Sequence, residues 1–325
     1  MLKHILKRIG FGAITLLILS FLIYLIMRLQ PDDFIYQRFG SMLLQDGGAE
    51  QLERIREMLG LNHNIIVGYW LWLSSAIRGD FGYSLIYNRY VADVMFERMG
   101  LSFIMGLIAL VVTLAIAIPM GIVAATRQYS KYDYVTTALV MMGISMPSFF
   151  FAGLLIYIFV IQLGWWPAAL GLPSLPPGTN SAVRFFNNAW ALVLPITVMV
   201  VLGIGGMMRH TRTNTLEVLR SDFIRTARAK GLSEGAVIYK HAFKNTAVPM
   251  VTMAAGILPG LFAGSIIIEQ VFALPGVGQV ALSALQGGDI PLVMGFNMFM
   301  AVLSVLGVLI ADILYVVVDP RIKMN

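Results

Sequence analysis

The chain has 325 residues, 58% of them hydrophobic and only 12% charged, about half the charged fraction of an ordinary soluble domain. Its formal charge is +6 at pH 7 and it has no cysteine, which excludes disulfides, thiolate metal sites and a cysteine nucleophile. So apolar a composition, with runs too long for globular helices, predicts an all-α integral membrane protein, in which the positive balance is read loop by loop rather than as a sign of nucleic acid.

The N-terminus, MLKHILKRIGFGAITLLILSFLIYLIMRL, is a basic start followed by an apolar run from Ile9 to Met27. That run exceeds the apolar core of a secretory signal, about 7–15 residues, and no small-residue cleavage site follows, so 1–30 is predicted to be a retained anchor helix. Residues 31–99 are too polar to be membrane and too long to be a plain loop. Within them AEQLERIREMLG predicts a short helix, Ala49 to Leu59, closed by Gly60, and IIVGYWLWLSSAIRGDFG an aromatic amphipathic helix ending near Gly79. The expectation is a small extracytoplasmic cap of helices, with the RGD at Arg78 to Asp80 no more than a turn.

Residues 100–325 form the predicted membrane core. Spanning the hydrocarbon takes roughly 20 apolar residues, and five further segments qualify: Leu101–Ala125, Val135–Leu163, Ala189–Met208, Val248–Ile268 and Pro291–Val318. With the anchor this makes six transmembrane helices and puts both termini on one side. Arg127, Lys131, the cluster from Arg209 to Lys244, Arg321 and Lys323 all fall on the side of Lys3, Lys7 and Arg8, whereas 273–290 has no Lys or Arg and 164–188 has only Arg184. The positive-inside rule therefore predicts cytoplasmic N- and C-termini, with a cytoplasmic loop at about 209–247 between helices four and five.

An ion-coupled carrier needs acids, bases or histidines within its spans. Here the middles of the spans have none: Glu269 and Asp312 lie near the ends of the fifth and sixth, and His4, His63, His210 and His241 fall outside. GVGQVA, Gly276 to Ala281, fits the dinucleotide pattern G-x-G-x-x-A but lies between two spans without a βαβ unit, so it is expected to be a turn. No G-x-x-x-x-G-K-[ST] occurs. If ATP drives this protein, another chain binds it, and the present chain is expected to be no enzyme, with no metal and no cofactor of its own.

Between the fourth and fifth spans lies FIRTARAKGLSEG, Phe223 to Gly235. On a continuous helical wheel Leu216, Leu219, Phe223 and Ala227 share one stripe, with Ser221, Arg225 and Arg228 opposite. Gly231 is predicted to end this helix and Ser233 to cap a second, Glu234 to about Lys244. Two readings fit: a basic amphipathic helix on anionic lipid, or a docking knob for a cytoplasmic partner. Small residues at Ala227, Ala229 and Gly231 suit close approach by a partner, and lipid adsorption does not require them.

The run SDFIRTARAKGLSEGAVIYKHAFKNTAVP resembles the cytoplasmic coupling loop of bacterial ABC importer permeases, specifically the B-type subunit of the dipeptide and oligopeptide family. GDFGYS at 79–84, EQVFALPGVGQ at 269–279 and DPRI at 319–322 extend the match over nearly the whole chain. The family's E-A-A-x-x-x-G signature, counted back from Gly231, meets Arg225, Thr226 and Ala227, so its glutamate and one alanine are absent, as in the peptide branch.

The resemblance implies a heterodimer with a C-type permease, two cytoplasmic ATPase subunits holding ATP and Mg, and an extracytoplasmic substrate-binding protein, in a bacterial or archaeal cytoplasmic membrane. It assigns coupling to Asp222, Arg225, Thr226, Ala227, Arg228, Ala229, Lys230, Gly231, Leu232 and Ser233. Short peptides are the implied substrate; a nickel complex or glutathione carried by the same family, or a stand-alone channel or scaffold, are the alternatives. Candidates for the translocation path are the polar or kinking residues Ser145, Met146, Pro147, Ser148, Thr252, Pro259 and Asn297, each of which also suits helix packing.

Overall fold

A computed structural model of the chain describes residues 2–29, 62–167, 170–246 and 265–318, with single positions between them. Helix α1, Leu2–Arg28, lies against the last helix and against α2, Ile65–Ile77. The predicted aromatic helix is thus present, and its periodicity is the reason: Tyr69, Trp72, Leu73 and Ala76 are buried, and they pack with Tyr24 and Met27 of α1. The Asn64 side chain accepts from Val67 N at 2.9 Å to start α2, and Gly79, at φ +84, lets the chain turn away after it. The helix predicted over Ala49–Leu59 lies largely outside the described residues.

The segment after α2 also holds a hairpin. Strand β1, Tyr83–Ser84, pairs antiparallel with β2, Arg89–Tyr90, and two residues per strand are too few to show a period of two. Helix α3, Val91–Thr126, then starts ten residues before the apolar run at Leu101, because Val91, Val94 and Met95 are buried against the C-terminal helices.

α3 packs along α6, Ser181–Leu219, and these two helices form the centre of the molecule. Small residues bring them close: a Cβ on Gly121 would lie 2.6 Å from Thr211 Cβ. Between them in sequence, α4, Lys131–Ser145, and α5, Ser148–Leu155, with a π-helical continuation over Ile156–Gln162, meet at a bend of 102°. The cause is local. A proline disfavours helical backbone in the residue before it, and Met146 is extended at φ −86, ψ 125 ahead of Pro147.

Beyond α6 come α7, Asp222–Ala229; α8, Glu234–Ala236, which runs on as π-helix Val237–Ala242; α9, Ile266–Val271; α10, Val277–Gly287; and α11, Ile290–Val318. GVGQVA is therefore not a turn: Gly276 precedes a helix that starts at Val277, and the reason lies with Glu269, below.

The fold is a multi-span bundle of apolar helices. Among the described residues α1, α3, α6 and α11 are each long and apolar enough to cross a membrane, and the bent pair α4–α5 makes a fifth if it counts as one span. The predicted fifth segment, Val248–Ile268, falls largely outside the described residues.

Candidate functional site

The loop that follows α6 is built as a small rigid body. α6 stops at Leu219, and α7 restarts at Asp222 with its own register, so the wheel drawn through Phe223 fails: Phe223 is 46% exposed, whereas Ile224 is fully buried. Ile224 and Ala227 pack on Val237 and Ala242, with Val218 and Leu219 of α6 beside them. Apolar contact thus fastens both halves of the loop to the end of α6.

α7 closes in a Schellman turn: Gly231 N donates to Arg228 O at 2.9 Å and Leu232 N to Ala227 O at 3.4 Å. Gly231 has φ +73, and a Cβ there would meet nothing within 4 Å. The Ser233 side chain accepts from Ala236 N at 3.4 Å, as its predicted capping role requires. Across the turn, Arg228 Nε donates to Glu234 Oε1 at 2.8 Å and Nη2 to Oε2 at 3.2 Å, which holds α7 against α8. Thr226 Oγ1 donates to Asp222 O at 3.0 Å, inside α7. Arg225, Ala229, Lys230 and Leu232 are left facing outward. The structure gathers all ten predicted loop residues on one knob, with Ala227 as its buried foot.

The predicted path residues do not gather in this way. Ser145, Met146, Pro147 and Ser148 make the α4–α5 bend, with Ser145 and Pro147 exposed. Asn297 is on α11, where its amide donates to Val293 O at 2.8 Å and it lines a small cavity with Ile23, Ile26 and Met27 of α1. Thr252 and Pro259 lie outside the described residues. A groove of about 500 Å³ lies elsewhere, between α3, α6 and the positions Met253, Ile257, Gly260 and Leu261, and its lining includes Gly106, Thr113, Gly203, Gly206, Met207 and His210. Its sequence signal is small residues at helical spacing on α3 and α6, a pattern that packing alone also produces.

Toward the Ser181 end of α6 a buried carboxylate organises the turn between α9 and α10. Ser102 Oγ of α3 donates to Glu269 Oε1 at 2.8 Å and accepts from Val277 N at 2.9 Å, and Gln279 N donates to Glu269 Oε2 at 3.0 Å. Glu269 and Ser102 are each 1% exposed. Gly276 and Gly278 leave the room: a Cβ on Gly276 would overlap the carboxyl, and one on Gly278 would lie 2.9 Å from Oε2. The two glycines of the dinucleotide-like pattern thus seat a buried carboxyl group at a helix start. A second acid does similar work nearby, as Asp289 accepts from Ser84 Oγ at 2.6 Å, Ile86 N at 3.1 Å and Leu292 N at 3.2 Å, tying the hairpin to the start of α11.

Among the described residues no group of three or more His, Cys, Asp or Glu could hold a metal ion. Among the described residues the geometry offers a knob, a groove and a bend. The family model of the binding-protein-dependent transport system inner membrane component matches residues 117–324, and the model of that component's N-terminal part matches 1–106. The chain belongs to this transporter family. Curated relatives match this permease end to end. The oligopeptide transport system permease protein AppB of Bacillus subtilis is 35% identical, covering 99% of this chain and 100% of its own length. OppB of Haemophilus influenzae is 33% identical, with 99% and 100% covered. Among solved structures, a chain of the inward-facing MetNI methionine ABC transporter matches with a TM-score of 0.52 at 17% identity, over 70% of this chain and 96% of its own. That likeness supports the permease fold.

Proposed function

We propose that this chain is the permease subunit of an ATP-driven importer of short peptides and that it forms half of the translocation path. The names of the end-to-end relatives support peptide as the substrate. In this reading the chain has six spans and cytoplasmic termini in a bacterial or archaeal cytoplasmic membrane, pairs with a C-type permease, and receives peptide from an extracytoplasmic binding protein. ATP and Mg belong to two cytoplasmic ATPase subunits.

The observation that carries the reading is the knob at the end of α6, whose apolar foot is buried while Arg225, Ala229, Lys230, Gly231 and Leu232 face outward. A body fastened in this way passes a push into α6 instead of folding under it. We place the path along the α3–α6 groove and the bend at Ser145, Met146, Pro147 and Ser148, and assign Asn297 to packing between α11 and α1.

ATP hydrolysis by purified components tests the division of labour. The chain alone should hydrolyse none, activity should appear when the ATPase subunits are added, and peptide-loaded binding protein should raise it further. Hydrolysis that stays with this chain through purification would refute the proposal.

A further inference from the structure

Asp133 and Arg212 are 79 residues apart in sequence and meet as a two-point ion pair: Arg212 Nε donates to Asp133 Oδ1 at 2.7 Å and Nη2 to Oδ2 at 2.8 Å. The carboxylate is prepared for its partner. Ser130 Oγ accepts from Asp133 N at 3.3 Å, and Tyr129, held at φ +63 in the turn between α3 and α4, donates its N–H to Oδ2 at 3.0 Å. The Asp133 side chain is 5% exposed, in contrast to the open Arg225–Asp222 and Arg228–Glu234 pairs, in which every side chain is at least 44% exposed. A planar guanidinium fork on a carboxylate fixes rotation as well as distance, so the pair sets the register of α4 on α6.

The position of the pair gives that register a use. Arg212 lies about two turns before α6 ends and the knob begins. Asp133 is in the first turn of α4, the helix that ends at the Met146–Pro147 bend. Between pair and bend α4 stays seated on α6: Val140 packs with Met207 and Met208, and a Cβ on Gly205 would lie 3.3 Å from Val140 O. α4 cannot slide along α6 without breaking both the ion pair and this packing.

We propose that Asp133 and Arg212 are positioning residues that make α4 follow α6 when the knob is pushed, so that loop movement becomes a change at the α4–α5 bend. The inference rests on the reading of the knob as the coupling surface.

The test uses the complete transporter, reconstituted with ATPase subunits and binding protein, carrying Asp133→Asn or Arg212→Lys. Asparagine keeps an acceptor for Tyr129 N but loses the charge; lysine keeps the charge but loses the fork. Peptide taken up per ATP hydrolysed should fall about twentyfold for Asp133→Asn and about fivefold for Arg212→Lys, in the range of coupling between distant sites, with ATPase subunits retained at normal amounts. Because the chain has no cysteine, Ser148→Cys reports directly on the bend. Its labelling by a thiol reagent should differ between the nucleotide-free state and the state trapped by a non-hydrolysable ATP analogue, and Asp133→Asn should remove that difference. An unchanged ratio, a parallel loss of uptake and hydrolysis, or labelling insensitive to nucleotide in the otherwise natural chain would each overturn the proposal. If Asp133→Asn fails to accumulate, Arg212→Lys alone decides by the same ratio and labelling. Failure of the underlying coupling reading shows separately, as normal uptake by Gly231→Trp with Asp133 and Arg212 intact.

Discussion

Removing the Ser102 hydroxyl should loosen the α9–α10 turn by an amount the geometry sets. Ser102→Ala deletes the 2.8 Å bond to Glu269 and leaves Val277 N–H buried without its 2.9 Å acceptor. An orphaned buried donor together with the lost bond to the carboxyl costs roughly 2–4 kcal/mol. Glu269→Gln keeps the shape, yet it turns one acceptor oxygen into a donor facing either Ser102 Oγ or Gln279 N, at a cost of roughly 1–3 kcal/mol. Both substitutions disturb the same Ser102–Glu269 contact, so the double variant should be less damaged than the sum of the two by about 1–2 kcal/mol. The assay is the apparent thermal midpoint of the detergent-purified complex followed by tryptophan fluorescence, at roughly 2–4 °C per kcal/mol. Single variants within about 0.5 kcal/mol of the parent, as at an ordinary surface site, or strict additivity, would refute the bonded node.

Gly276→Ala should cost about 1–3 kcal/mol by the same assay, because its methyl group overlaps the Glu269 carboxyl. Gly235→Ala, in α8 with open space at its Cβ, should be neutral or stabilising by up to about 1 kcal/mol. Single cysteines at Ser181, the first residue of α6, and at Ser233, beyond its other end, should react with an impermeant thiol reagent from opposite faces of intact cells; labelling from one face would contradict the six-span topology.

What the sequence disclosed was local. The periodicity of α2, the Gly231 turn and the Ser233 cap each depend on neighbours within a few residues, and each is present as expected. The burial of Ile224 in place of Phe223 was hidden because it depends on where α6 stops, and a two-residue break at Arg220–Ser221 shifts the phase of every later position. Gly276 and Gly278 were visible as a pattern, but their purpose is set by Glu269 and by Ser102, which is 167 residues from that glutamate. The Asp133–Arg212 pair was likewise beyond reach, since charged residues near span ends are common and nothing in their spacing pairs these two. The α3–α6 groove reads in sequence as ordinary small-residue packing, and only the assembled helices show the space between them.

If the knob after α6 docks into an ATPase subunit, the backbone of Gly231 gives the sharpest test. At φ +73 any side chain strains the turn, and asparagine tolerates that region best, so Gly231→Asn controls for strain while Gly231→Trp adds bulk. Peptide uptake and co-purification of the ATPase subunits, measured at matched membrane levels, should be near normal for Gly231→Asn and lost for Gly231→Trp. Adsorption to anionic lipid predicts the opposite ranking. In that case Arg225→Gln with Arg228→Gln weakens attachment by roughly 1 kcal/mol per residue, and tryptophan strengthens it. Normal uptake and full ATPase retention in Gly231→Trp would contradict docking at this turn.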